Sequence, residues 1–497
     1  MKEAMKNIMC PKCDGLPIGK EERECNLENM KAKNQWLTEQ MNDPFWVDSS
    51  SYRRCFIHRE IYGRKFSNQV LPPQTSTGRI ESSKDCGIVS MTAVELIHNF
   101  LDPVKWMNLF PTIVTKAKTI EVLDSGTWGG SMQLRYEKFH ILSPLVEARE
   151  FFFIRGCKQL DSTTWIMVDI SYDNFNDIHS GVPSYSWKFP SGCAIQDMGN
   201  GQSKLRIISS LNINIYIIGK LCVTWVEHVQ VYEKYQVNHI FRDLLCDCEA
   251  YGAKRWIVTL QRMCERFNFQ MGSTYPNRHD SKGDNHGDFS ISPQLNRGDR
   301  ISIRKNEETI QPKGFIAIAT TSVWLPLSFQ DVFSFFNDDK TRNQWDILTG
   351  GNNVIELDRV LTGTFPGNNI TIIQPYNMHK EMLVLEETSI DEMGAFLVYA
   401  PIDLRAINSI VNGGDAMKVP ILPSGIIISP DGRLSSNRDN TASAQNGSIL
   451  TVTFQIMICG NNNPTSRQHK MEVAGSVHGV LSATILRIKE ALGCSDL

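Results

Sequence analysis

The strongest constraint on this chain lies between Pro190 and Phe267. Within it, Val223-Thr-Trp225-Val-Glu227-His-Val229-Gln-Val231-Tyr232 places apolar residues at every second position. That period marks a half-buried antiparallel strand. From about Asn238 the apolar spacing changes to three and four. Ile240, Phe241, Leu244, Leu245, Cys248 and Tyr251 form one stripe, which after Gly252 moves round to Trp256, Ile257, Leu260, Met263, Cys264 and Phe267. The pattern predicts one long helix over 238–267, apolar over so wide an arc that it must be broadly covered.

An antiparallel sheet closed by such a helix is a helix-grip arrangement. Ordinary core packing and a cavity beneath the helix both satisfy it. Three strings carry a resemblance: Pro190-Ser191-Gly192-Cys193-Ala194-Ile195-Gln196-Asp197-Met198, Val223-Thr-Trp-Val-Glu-His-Val229, and Tyr251-Gly-Ala-Lys-Arg-Trp-Ile-Val-Thr-Leu-Gln-Arg-Met-Cys-Glu-Arg266. They resemble the START (StAR-related lipid-transfer) domain of plant class IV homeodomain-leucine zipper transcription factors, and the resemblance runs from about Cys10 to Leu497.

A chain of 497 residues is too long for one core. A net charge of -3 leaves no basic footprint for nucleic acid. No apolar run reaches the roughly 18 residues of a membrane span, and the amino terminus does not read as a secretory signal. Thirteen cysteines without a regular framework fit reduced thiols in an intracellular protein.

The chain divides into five expected segments. Residues 1–42 carry Cys10-Pro-Lys-Cys13, read as a redox-sensitive pair or as bland rather than as a metal site, because a structural zinc needs four ligands. The same segment spaces Leu27, Met30, Asn34, Leu37 and Met41 as a short coiled-coil seam, with Asn34 setting the register; a solvated helix docked on its own domain is the other reading. By resemblance this is the end of a zipper that mediates homo- or heterodimerisation. The family's DNA-binding homeodomain is not found ahead of it, so direct DNA binding is not expected of this chain.

Residues 43–84 read as a linker. Residues 85–269 form the expected START domain, with a helix over Ile88–Asn99 and then Asp102-Pro103, an N-cap followed by a first-turn proline. Strands are expected at Thr119–Leu123, Ser131–Phe139, Ala148–Cys157 and Thr164–Tyr172, and the polar loop Asp173–Trp187 as a gate. Leu205–Cys222 is an Ile-rich stretch that the family pattern lacks, read as a retained intron, an error in the predicted gene, or an extra hairpin; exposed, it would promote aggregation. Residues 270–313 form a second linker. Residues 314–497 repeat the order of elements: a helix over Ser328–Asn337, strands, Pro423-Ser424-Gly425 echoing Pro190-Ser191-Gly192, the alternating strand Ile449–Ile458 and a closing helix over Val473–Leu492. The whole is therefore expected to be α+β, with a START-like helix-grip domain followed by a second, diverged one that resembles the family's START-adjacent domain.

One strand stands out chemically. Arg149, Phe151, Phe153 and Arg155 share a face, and a buried guanidinium requires an acceptor. Glu137 and Asp169 on neighbouring strands are the expected partners. Either such a pair merely fixes the sheet, or one guanidinium meets the polar head of a lipid at the closed end of an apolar cavity. By resemblance to the acidic-basic pair of START tunnels, Arg155 and Glu137 are expected to anchor a lipid or sterol-like ligand, with Asp169, Trp225, Trp256 and Leu260 alongside. No G-x-S-x-G, H-E-x-x-H, P-loop or Rossmann glycine pattern is present, so neither an enzyme nor a resident cofactor is expected. His228 alternates with Val229 on its strand, which leaves a solvent-facing ring open, but a lone strand histidine is far more often structural. The resemblance implies a lipid-responsive regulator of transcription in the nucleus; a cytosolic lipid carrier is the alternative.

Overall fold

A computed structural model describes residues 46–49, 54–57, 79–125, 130–171, 186–199, 219–231, 237–246, 249–271, 299–306, 314–376, 381–416, 419, 421–433, 447–458 and 467–495. The expected coiled-coil seam, the Cys10/Cys13 pair and residues 205–218 lie outside these. The chain forms two compact units.

The first unit opens with a hairpin, β1 (Trp46–Ser49) and β2 (Arg54–Ile57), followed by β3 (Arg79–Ser90). The stretch expected to be linker thus contains strands. The helix expected over Ile88–Asn99 begins later, as α1 (Ala93–Leu101), where the Thr92 hydroxyl accepts from the Glu95 amide. Asp102 then caps α2 (Pro103–Leu109) as its sequence implies, its carboxylate accepting from the Val104 and Lys105 amides. β4 (Val114–Asp124), β5 (Gly130–Phe139), β6 (Arg149–Gln159), β7 (Thr164–Ser171), β8 (Ser186–Lys188), β9 (Ser191–Asp197) and β10 (Lys220–Val231) complete the sheet. Its order is β3-β10-β9-β7-β6-β5-β4, antiparallel throughout, with β8 beside β10. β10 starts inside the expected insert: Leu221 extends the alternation of Val223 and Trp225 inward and is fully buried.

The long helix is broken. A 3-10 turn (His239–Phe241) leads into α3 (Arg242–Cys246), and α4 (Ala253–Met271) starts afresh after a turn. Ser83 on β3 supplies the cap, its hydroxyl accepting from the Ala253 amide at 2.8 Å. This is a tertiary contact that helical periodicity cannot report. Farther along, Gln261 Nε2 donates to the Ile88 carbonyl at 3.2 Å. A Cβ on Gly87 would lie 2.5 Å from the Ile257 side chain, so glycine permits the close approach of α4 to β3.

The second unit has β11 (Arg300–Asn306), β12 (Gly314–Leu325), α5 (Phe329–Asn337), α6 (Arg342–Trp345), β13 (Val354–Leu361), β14 (Asn369–Pro375), β15 (Met382–Asp391), β16 (Gly394–Asp403), α7 (Leu404–Val411), β17 (Ser424–Pro430), β18 (Ser448–Ile458) and α8 (Arg467–Ala491). Its sheet runs β11-β12-β18-β17-β16-β15-β14-β13. Setting β11 and β8 aside, the seven main strands of each unit follow one spatial order. In each, the first strand lies beside the last and two helices separate the first strand from the second. Two helix-grip units in tandem are what the repeated element order implied.

Candidate functional site

The inward face of the first sheet is apolar at most positions and ionic at a few. β5 alternates Arg135 and Glu137 inward, β6 presents Phe151, Phe153 and Arg155, β7 presents Asp169, β8 Lys188, and β10 Trp225 and Glu227; all are at most 5% exposed. The alternation that marks these strands also dictates which side chains meet.

Arg155 grips Asp169 with both arms of its fork, Nε to Oδ1 and Nη2 to Oδ2, each at 2.8 Å. Its Nη1 donates to the Phe100 carbonyl at 3.0 Å, and Glu137 Oε1 lies 3.5 Å from Nη2. Arg135 donates to Glu137 Oε1 from Nη2 at 3.0 Å and from Nε at 3.2 Å, while Trp106 Nε1 donates to the other oxygen of Glu137 at 3.0 Å. Lys188 Nζ bridges Asp169 at 3.3 Å and Glu227 at 3.1 Å, and Trp225 Nε1 donates to Glu227 at 3.3 Å. Three cations and three carboxylates are thus enclosed together. Such groups survive desolvation only when paired and hydrogen-bonded.

Burial and neighbouring charge compete at each group. Burial opposes the charge of Lys188, but the Glu227 and Asp169 carboxylates outweigh it and raise the amine's pKa. Burial would likewise raise Asp169, yet Arg155 and Lys188 hold its carboxyl below the usual range. Glu227 has fewer cationic neighbours, and burial pushes its carboxyl up.

Above the ions stands a stack of rings. Trp225 and Trp256 lie face to face, centroids 4.9 Å apart and 7° from parallel. Trp106 stacks on Trp256 at 5.5 Å, Phe110 meets Trp256 edge-on at 4.9 Å, and Phe139 does so at 5.2 Å. Lys188 Nζ lies 5.1 Å from the Phe153 ring centre and 5.9 Å from that of Trp256. Arg155 lies 4.1 Å from that of Trp106, within cation–π range. Trp256 and Leu260, both buried, bring α4 into this interior.

The expected residues are thereby sorted. Glu137, Phe151, Phe153, Arg155, Asp169, Trp225 and Trp256 belong to one interior cluster. Arg155 pairs with Asp169, as its strand neighbours implied. Arg149 finds a carboxylate on an element read as linker: Nη1 and Nη2 donate to Glu81 on β3, both at 2.9 Å, and its guanidinium lies 4.0 Å from the Tyr251 ring centre. His228 takes the structural of its two readings: it is 5% exposed and stacks on Phe189 at 4.4 Å. Sequence reasoning missed Arg135, Lys188, Glu227 and Trp106. Glu227 shares the inward parity of Trp225, so the alternation could have exposed it. Lys188 sits between Trp187 and Phe189 at the edge of a polar loop, where nothing marks it as internal.

This is a START-type helix grip followed by a second grip of the same topology. Residues 27–266 match the START domain and residues 253–494 the PDF2-like C-terminal domain. Homeobox-leucine zipper protein HDG8 of Arabidopsis thaliana is 32% identical over 624 residues, covering 100% of this chain and 85% of that protein. Homeobox-leucine zipper protein HDG11 of the same plant is 36% identical, covering 91% of this chain and 64% of its own length. ROC8 of rice (Oryza sativa subsp. japonica), another homeobox-leucine zipper protein, is 36% identical over 88% of this chain and 65% of its own length. The chain belongs to the class IV homeodomain-leucine zipper family. Among solved structures, human StAR-related lipid transfer protein 5 is 13% identical with a TM-score of 0.29, covering 50% of this chain and 99% of that one. None of the relatives named here carries an enzyme's name. Among the described residues no helix is long and apolar enough to cross a membrane.

Proposed function

We propose that the chain is a lipid-responsive regulator of transcription that acts in the nucleus and dimerises through the segment carrying Leu27, Met30, Asn34, Leu37 and Met41, and that its first unit is the ligand-sensing element. The observation that carries this reading is the closed ion network beneath the Trp225–Trp256 stack. It gives an apolar interior a polar floor, the combination that lipid recognition requires.

Arg155 holds Asp169 with both arms of its fork, and Asp169 in turn accepts from Lys188, so the pair acts as the floor that orients the ammonium. The ammonium has three donors and two carboxylate partners, Asp169 and Glu227; its third donor is the anchor for a lipid oxygen. Phe151, Phe153, Trp225, Trp256 and Leu260 form the apolar wall. A lipid entering here must displace Trp256, and because that ring belongs to α4, loading shifts the helix and whatever depends on its position.

Native mass spectrometry of the purified chain, before and after exposure to mixed phospholipid and sterol vesicles, tests this. The expected result is a retained lipid mass in the wild type, lost in Lys188→Met while its far-ultraviolet circular dichroism stays unchanged. A chain that remains bare after vesicle exposure overturns the reading.

A further inference from the structure

The second unit holds buried polar groups at the same place in its fold, and they are not closed upon themselves. Arg342 on α6 is 2% exposed. Its Nε donates to Asp346 at 2.9 Å and its Nη1 to Glu386 on β15. Its Nη2 has no hydrogen-bond partner among the described residues, and neither has the indole nitrogen of Trp345, which is fully buried. The guanidinium lies 5.2 Å from the Trp345 ring centre and 5.7 Å from that of Tyr399. On β14, Thr371 is the cross-strand neighbour of Glu386 and shares the inward parity of the core residue Ile373. Its hydroxyl and the Asn369 amide nitrogen, one inward position farther, also lack partners among the described residues at 3% and 1% exposure.

Buried polar groups are almost always satisfied. The corresponding place in the first unit obeys the rule: on its matching strand, β5, Arg135 and Glu137 are engaged, and the indole of Trp106, which occupies the place of Trp345, donates to Glu137. In this part of the second unit, Arg342, Trp345 and Asn369 each offer an unsatisfied N–H donor and Thr371 a hydroxyl, with contacts running from Thr371 through Glu386 and Arg342 to Trp345. We infer that the interior of the second unit is a ligand site of its own, taking a small neutral molecule that presents a carbonyl or hydroxyl oxygen from an apolar body.

Charge selects that class. Asp346 and Glu386 already flank Arg342, so an anionic ligand would face two carboxylates. A cationic ligand would meet donors. A neutral oxygen acceptor satisfies Arg342, Trp345 and Asn369 without adding charge, and Val384, Leu397 and Phe336 supply apolar surroundings. Burial, which pushes the Glu386 carboxyl up despite Arg342, makes the site still less hospitable to a second charge.

The test uses the full chain labelled with 15N at its ten tryptophans and follows the indole resonance of Trp345, assigned by its loss in Trp345→Phe. The probes are 2-decanone, 1-decanol and decanoate. The expected result is a saturable shift of the Trp345 resonance with the ketone or the alcohol and none with decanoate, and about tenfold weaker binding in Thr371→Val, the worth of one buried hydrogen bond. Should Thr371→Val fail to fold, the wild-type titration decides alone. A Trp345 resonance that ignores both neutral probes, or that responds equally to decanoate, overturns the inference. So does a response confined to Trp106, Trp225 and Trp256, which would leave the lipid reading of the first unit standing.

Discussion

The two units share a strand order and differ in what the order encloses. Inside the first, Arg135, Arg155 and Lys188 meet Glu137, Asp169 and Glu227 in balance, under stacked indoles. Inside the second, Arg342 faces two carboxylates, Asp346 and Glu386, and the indole at the corresponding helix makes no hydrogen bond among the described residues. Apolar alternation and turn chemistry specify the grip. A handful of inward polar positions specify what the grip holds, and these vary without disturbing the strand order. Function therefore has to be argued from those positions.

The largest effect is expected from unbalancing the first interior. Asp169→Asn leaves Arg155 and Lys188 competing for two remaining carboxylates and should lower stability by about 3–5 kcal/mol, the range for one partner removed from a buried pair. Arg155→Met combined with Asp169→Leu removes both charges and should recover much of that loss. Urea denaturation of the three proteins checks this; a double variant as unstable as the single would show that the pair is not the coupled unit the geometry implies. Arg342→Met should cost a similar amount in the second unit, where two buried carboxylates are left without a cation.

Next in size is Gly192→Ala. Gly192 has φ of +139° and a Cβ there would stand 2.0 Å from the Met167 carbonyl oxygen, so β9 must pull away from β7. The strain alone is of order 1–3 kcal/mol. The echo in the second unit, Gly425, is not at positive φ and its Cβ would meet the Leu397 carbonyl oxygen at 3.2 Å, so Gly425→Ala should be milder. Thermal unfolding of the two variants ranks them, and equal losses would erase this difference between the units. Gly87→Val acts on helix docking: overpacking against Ile257 should cost about 1–3 kcal/mol and speed hydrogen exchange in α4 while leaving α8 unchanged.

Much of this was legible in the sequence. Period-two runs located β5, β6, β7 and β18 to within a residue or two, Asp102-Pro103 announced α2, and Pro-Ser-Gly repeated where β9 and β17 begin. The misses share a cause. Glu81 was hidden because β3 has no clean alternation, its burial pattern being mixed along twelve residues. The break before α4 depends on Ser83, 170 residues away. Arg135 shares the parity of Glu137 on β5 and was within reach of the alternation, whereas Lys188 has no periodic neighbours and only the fold turns it inward. Local periodicity reports which face of an element is apolar; it does not report an ion placed on that face by long-range pairing.

The smallest effect is a divergence in acid. Asp169 and Glu81 have folded pKa values lowered by their arginines, in spite of burial. Their contribution is present above the unfolded carboxylate pKa of about 4 and is lost as pH falls through the lower folded value. Glu386, and Glu227 in the first unit, have values raised by burial. Their contribution is fully present below about 4.3, the unfolded glutamate value, and is lost as pH rises through the folded value. Between pH 7 and about 4 both units should therefore gain stability, a tenfold difference in proton affinity between folded and unfolded chain being worth about 1.4 kcal/mol. Below about 4 the first unit should lose stability while the contribution of Glu386 to the second holds. Glu227→Gln should remove the gain in the first unit and keep the loss. Urea titrations of the whole chain carrying 5-fluorotryptophan, at pH 7, 5 and 3.5, follow Trp225 and Trp256 for one unit and Trp345 for the other; parallel pH trends below 4 would mean that the difference between the two interiors is not expressed in their protonation.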